Sequence, residues 1–102
     1  MTVPKTAYLS LGSNLGDPLN NLQDAVFAIQ ERAGDIQRLS PVYQSSSWGF
    51  DSHDFLNACV SLKTTLSPQK LLETVLQIET DQGRVRYDEE GYQDRKIDID
   101  IL

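Results

Sequence analysis

The chain has 102 residues, enough for one compact domain that removes about two-thirds of its surface from water on folding and too few for two. With 39% hydrophobic and 24% charged residues, four Pro and six Gly, its composition excludes a disordered, collagen-like or membrane-spanning chain. Nine Lys and Arg against fifteen Asp and Glu give a formal net charge of -6, which argues against a duplex nucleic-acid binder, leaves room for a local basic cluster, and makes no nucleic-acid partner the expectation. The lone Cys59 cannot form an intrachain disulfide, and neither a charged-then-apolar leader nor a long apolar run occurs, so the expected location is the cytoplasm, with no membrane partner.

Ala7, Leu9 and Leu11 alternate with Tyr8 and Ser10 up to Gly12, the period of two that marks a strand. Asp17-Pro18 then supplies an N-cap and a proline at the first helical position, and Leu19, Leu22, Val26, Ile29 and Ala33 recur at helical spacing until Gly34. From Gln37 to Trp48 the chain carries Leu39, Val42, Tyr43 and a Ser45-Ser46-Ser47 run, which reads as an irregular or edge strand because Pro41 cannot donate to a ladder. After a polar turn from Gly49 to Asp54, Leu56, Ala58, Val60 and Leu62 alternate with Phe55, Asn57, Cys59 and Ser61 in a further strand. Ser67-Pro68 repeats the helix start, and Leu71, Leu72, Val75 and Ile78 form a second amphipathic helix ending near Gly83. Beyond a hydrophilic loop, Ile97, Ile99 and Ile101 alternate with Asp98 and Asp100 in a last strand.

The order β-α-β-β-α-β predicts an α+β, ferredoxin-like fold for residues 1–102 as a single domain, a four-stranded antiparallel sheet with both helices on one face. If the helices cover Leu56, Ala58, Val60, Leu62 and Ile97, Ile99, Ile101, then Phe55, Asn57, Asp98 and Asp100 project together from the opposite face.

That face carries chemistry. Two carboxylates separated by one strand residue stand roughly 6.5–7 Å apart at their Cα atoms, close enough to grip Mg2+ ions that carry a polyphosphate. A chain with ten Asp also produces this spacing by chance, but two like charges on one strand face repel unless a cation or arginines screen them. Gly83-Arg84-Val85-Arg86 and Arg95-Lys96 flank the acidic strand in sequence; they suit a bidentate clamp on phosphate oxygens, or pairing with Asp81, Asp88 and Glu89 on a solvated loop. Gly12-Ser13-Asn14-Leu15-Gly16-Asp17 either turns backbone N–H groups toward an anion or makes a tight turn before the Asp17 cap, and it lacks the Gly-Lys-Ser/Thr of a P-loop. His53 has no second His or Cys at ligand spacing, so zinc is not expected. Phe55 is either a core residue or a stacking platform for a flat heterocycle, beside which Asn57 can read a ring edge through its donor and acceptor. Cys59 lacks an adjacent His or Lys and reads as a small packed residue.

Four ordered segments then carry a resemblance: Ala7 to Asp17; Phe55-Leu56-Asn57-Ala58; Ile78-Glu79 through Gly83-Arg84-Val85-Arg86; and Arg95-Lys96-Ile97-Asp98-Ile99-Asp100-Ile101-Leu102. Over nearly its whole length the chain resembles the 6-hydroxymethyl-7,8-dihydropterin pyrophosphokinases of folate biosynthesis. The resemblance implies that Asp98 and Asp100 hold two Mg2+ ions bridging the phosphates of the co-substrate ATP, and that the pterin hydroxyl attacks the β-phosphorus with AMP leaving. It makes Arg84, Arg86 and Arg95 phosphate-facing, with Arg84 and Arg95 joining Asp98 and Asp100 in the catalytic set, and gives Glu79 and Ile101 to the nucleotide side. It implies that Phe55 stacks on the pterin and Asn57 hydrogen-bonds its edge, with Asp98 also facing the substrate and Ser45, Ser46, Ser47 and Trp48 in the pterin-contacting loop.

The chain departs from the family pattern at Asp94, where proline is usual, and in the loop from Arg86 to Arg95 that holds Tyr92. Family members are longer, and their C-terminal portion brings a second pterin-stacking aromatic and further nucleotide contacts. The expectation is therefore a catalytic core that is complete as a fold, with the rest of the site supplied by a partner chain or lacking. The rival reading is a ligand-binding module of the same fold without catalysis. A sheet-face RNA binder would need exposed aromatics and a basic surface, against which stand Phe55 alone and the net charge of -6.

Overall fold

The computed structural model describes residues 3–46, 54–83 and 96–102. In chain order the elements are β1 (Lys5–Ser13), α1 (Pro18–Arg32), β2 (Asp35–Leu39), β3 (Tyr43–Ser45), β4 (Phe55–Thr64), α2 (Pro68–Asp81) and β5 (Asp98–Ile101). Both helices begin as the caps dictate. The Asp17 carboxylate accepts from the Asn20 N–H at 3.2 Å, the Ser67 hydroxyl accepts from the Lys70 N–H at 3.1 Å, and each cap is followed by proline. Neither helix is long and apolar enough to cross a membrane.

The sheet is antiparallel throughout, in the order β2-β4-β1-β5, with β3 beside β2 along the same edge of β4. Among the described residues this gives five strands where four were expected, and the difference lies at Pro41. The single edge strand expected between Gln37 and Trp48 is two short strands, one before and one after Ser40-Pro41-Val42. Pro41 has no N–H to give, and Ser40 bridges the gap: its N–H donates to the Cys59 carbonyl at 2.9 Å, while its Oγ accepts from the Cys59 N–H at 2.8 Å. A register shift between Ile36 and Arg38 bends the edge further.

Both helices lie on one face, as the alternation of apolar residues requires. Leu9, Leu11, Val60, Leu62, Ile97 and Ile99 from the strands pack with Leu22, Ala25, Ile29, Leu71, Val75 and Ile78 from the helices in one buried cluster. Ile101, expected beneath the helices, is instead 39% exposed. It lies on the outermost strand, where Leu9 is its cross-strand neighbour on one side only.

The loop between β1 and α1 is tied from inside. Gly16 takes a left-handed backbone (φ +60°), Ser13 is fully buried, and the Asn21 side-chain amide donates to the Ser13 Oγ at 3.0 Å and to the Leu15 carbonyl at 2.8 Å.

Candidate functional site

Strand register arranges the helix-free face in rows. Asp98, Gly12, Asn57 and Tyr43 are successive partners across β5, β1, β4 and β3. Asp100, Ser10 and Cys59 form the next row across β5, β1 and β4. Phe55 stands opposite Ser45 at the end of β4. Asp98, Asp100, Phe55, Asn57, Ser45 and Ser46 consequently share one cavity of about 260 Å³, whose floor includes Ser10 and Gly12.

Gly12 opens this floor. Its position lacks a Cβ where one would stand 3.1 Å from the Asn57 Oδ1 and 3.6 Å from the Phe55 ring. Asn57 is held in one orientation, its Nδ2 donating to the Ser45 Oγ at 2.9 Å and to the Tyr43 carbonyl at 3.3 Å. Both amide protons are then engaged within the protein, and Asn57 offers a ligand its Oδ1 as acceptor rather than the donor and acceptor together. Phe55 is half-buried and lines the cavity. Tyr43 stands in the same row with its hydroxyl 3.9 Å from the Cys59 sulfur. That contact, by hydrogen bonding first and charge second, raises the Tyr43 pKa above its ordinary value.

Two residues expected on the nucleotide side stand apart from the cavity. Glu79 is 3% exposed on α2, and its carboxylate accepts from the Ile99 N–H at 2.8 Å, so it braces β5 from the helix side. Ile101 alternates with Asp98 and Asp100 and belongs to the other face of β5. Ser47, Trp48, His53, Arg84, Arg86, Tyr92, Asp94 and Arg95 lie outside the described residues. The described ends on either side of residues 84–95 meet: a Cβ on Gly83, whose φ is +94°, would stand 3.4 Å from the Lys96 Cδ. Sequence reasoning missed Ser10, and it read Gly12 only as the start of the loop before α1 rather than as part of the cavity floor. Ser10 and Gly12 alternate with Leu9 and Leu11, but only the pairing of β1 between β4 and β5 brings them under the cavity.

The donors fit a hard divalent cation. Asp98, Asp100, the Ser10 hydroxyl and the Asn57 Oδ1 are all oxygen, the ligand chemistry of Mg2+ rather than of zinc. Among the described residues no group of three or more His, Cys, Asp and Glu converges on one point. Two carboxylates leave most of an octahedral shell to water and phosphate oxygens, the usual way in which Mg2+ is shared between protein and nucleotide.

The profile of the 7,8-dihydro-6-hydroxymethylpterin-pyrophosphokinase family matches residues 8–102. A 2-amino-4-hydroxy-6-hydroxymethyldihydropteridine pyrophosphokinase of Porphyromonas gingivalis is 48% identical over 97 residues, covering 93% of this chain and 66% of that protein. Proteins of the same name from Synechocystis sp. and Aquifex aeolicus are 39% and 41% identical, over 94% and 95% of this chain. The chain spans 49% and 59% of the lengths of those two. A profile match over almost the whole chain settles its family: the chain belongs to the 7,8-dihydro-6-hydroxymethylpterin-pyrophosphokinases.

Proposed function

We propose that this chain is the catalytic core of an enzyme that transfers a pyrophosphoryl group from ATP to the hydroxymethyl group of 6-hydroxymethyl-7,8-dihydropterin, releasing AMP, in folate biosynthesis. The observation that carries the reading is the row Asp98, Gly12, Asn57, which sets acid, open floor and ring-edge acceptor side by side in one cavity. Phe55 supplies a face for stacking on the pterin, and the Asn57 Oδ1 accepts from a ring N–H. Ser45 and Ser46 border the same ring, and Ser47 and Trp48 continue their loop.

Asp98 and Asp100 would hold Mg2+, two ions by analogy with the family, which when bound neutralises charge on the phosphate oxygens and on the departing AMP. The chain's own residues bind and align. The cavity holds the pterin so that its hydroxymethyl oxygen meets the β-phosphorus in line. The new O–P bond forms as the bond from the β-phosphorus to the AMP oxygen breaks, and the hydroxyl proton is released. Arg84, Arg86 and Arg95 take the phosphate oxygens in this reading; Gly83, which precedes Arg84, and Lys96, which follows Arg95, lie close together. Glu79 contributes through the Ile99 backbone, and Ile101 borders the nucleotide from the edge strand.

The single buried cluster supports residues 1–102 acting as one domain, and the net charge of -6 supports small-molecule substrates over nucleic acid. The cytoplasm is the proposed location, in keeping with the free thiol of Cys59, and a partner chain is one source for the rest of the site. The test is AMP release by the purified chain given MgATP and 6-hydroxymethyl-7,8-dihydropterin, beside a control without pterin. Pterin-dependent AMP is the expected result. Binding of both ligands without AMP would favour the non-catalytic module, and binding of neither would overturn the assignment.

A further inference from the structure

Strand β5 carries both carboxylates but has only four residues and lies at the end of the strand order. A strand that short at a sheet edge frays readily, so something must hold its entry for Asp98 and Asp100 to stay in place. The buried contacts around Ser13 supply the hold. The Ser13 hydroxyl has one proton, which goes to the Lys96 carbonyl, two residues before Asp98. Its lone pairs then face Asn21, whose amide donates to Ser13 with one proton and to the Leu15 carbonyl with the other. Asn21 is itself fixed on the first turn of α1, where its backbone N–H donates to the Asp17 carbonyl at 2.9 Å. The clasp thus runs from α1 through the end of β1 to the entry of β5. Its central residue is fully buried and follows Gly12, the partner of Asp98. Ile97, between Lys96 and Asp98, is also fully buried, which leaves that entry little room to move once the carbonyl is held.

We propose that Asn21, acting through Ser13, is a positioning residue for the Asp98 and Asp100 carboxylates, so that Mg2+-nucleotide affinity depends on an amide that touches neither metal nor nucleotide. The proposal rests on the function proposed above. Without the Asn21 donor, the Ser13 hydroxyl is free to rotate away from Lys96, and the entry of β5 loosens.

The test uses Asn21→Ala and Ser13→Ala, singly and together, in the full chain. Calorimetric titration with Mg2+ and a non-hydrolysable ATP analogue reports affinity, and amide hydrogen exchange reports the strand. Each single variant is expected to weaken Mg2+-dependent nucleotide binding by about tenfold, the usual scale for removing a group that orients a metal ligand. The double variant should lose no more than the worse single one, because both break the same clasp. Exchange should quicken at the Asp98 and Asp100 amides while Val60 and Leu62 in β4 stay protected. Unchanged exchange in β5, quickened exchange with unaltered nucleotide affinity, or additive losses would each overturn the proposal. A wild-type chain that binds no Mg2+-nucleotide would instead remove the functional reading, and this proposal with it.

Discussion

Gly12 and Asn57 are cross-strand partners, and a methyl group on Gly12 would stand 3.1 Å from the Asn57 Oδ1. Asn57 cannot step aside without lengthening its bonds to Ser45 and Tyr43, so Gly12→Ala should act on ligand binding more than on folding. Losing or bending one such bond costs about 0.5–1.5 kcal/mol, which amounts to a rise in pterin Kd of up to about tenfold. Pterin titration by fluorescence checks this. An unchanged affinity would mean that the floor of the cavity is not the pterin site.

Asp98 and Asp100 face the same side of β5, with Gly12 and Ser10 as their partners on β1. Asp98→Asn and Asp100→Asn preserve shape and remove one negative charge each. Both variants should fold as the parent does, since the site is open to water, and both should lose the Mg2+-dependent part of ATP binding. Nucleotide titration with and without Mg2+ separates that part from phosphate contacts made by other residues. Metal dependence that survives in both variants would take the acidic pair out of the site.

The helices and the central strands were legible in the sequence because each is signalled twice, by apolar period and by a terminator. Asp17-Pro18 and Ser67-Pro68 mark where α1 and α2 begin, and the alternation from Phe55 to Leu62 assigns β4 two distinct faces. Together with the alternation from Ile97 to Ile101 and both helices on one face, it groups Phe55, Asn57, Asp98 and Asp100. Register was not legible. The ferredoxin-like order implies an antiparallel sheet, but that Ser10 and Gly12 lie beneath the cavity depends on which residues of β1 meet those of β4 and β5, a long-range match that no local period encodes. The split of β2 from β3 turns on the Ser40 side chain replacing a ladder bond, and the bond from the Ile99 amide to Glu79, a residue the resemblance gives to the nucleotide side, forms only once α2 is docked against β5.

Gly34 joins α1 to β2 at a point where the backbone leaves no room for a side chain. A Cβ there would overlap the Lys63 carbonyl oxygen and stand 3.0 Å from the Leu62 Cδ1. Its backbone angle is not the obstacle, because φ at Gly34 is not positive. Gly34→Ala should therefore destabilise the fold by about 1–3 kcal/mol, the range for overpacking a rigid site, despite the small entropic gain such a change brings elsewhere. Urea denaturation reads the loss as a lower midpoint with an unchanged slope. Because Gly34 lies remote from β5 and the cavity, the pterin Kd of the folded variant should match the parent.

The last prediction concerns acid. Asp81, at the end of α2, accepts from the Gln77 amide at 2.9 Å and pairs with Arg32 of α1 at 2.8 Å. These two contacts, Gln77 first, hold its pKa below the ordinary aspartate value. A group whose pKa is lower in the folded state binds its proton more readily when unfolded. Its contribution is then complete above the unfolded value and disappears as pH falls through the folded value. Asp81→Asn should accordingly lower the melting temperature at neutral pH, and the gap to the parent should close in acid. Both partners are partly exposed, so the gap should be small and should shrink in concentrated salt, as screening weakens the Arg32 attraction. Melting curves of the two chains across the acid range decide it, since a gap that stayed constant with pH would mean that Asp81 acts through packing rather than charge.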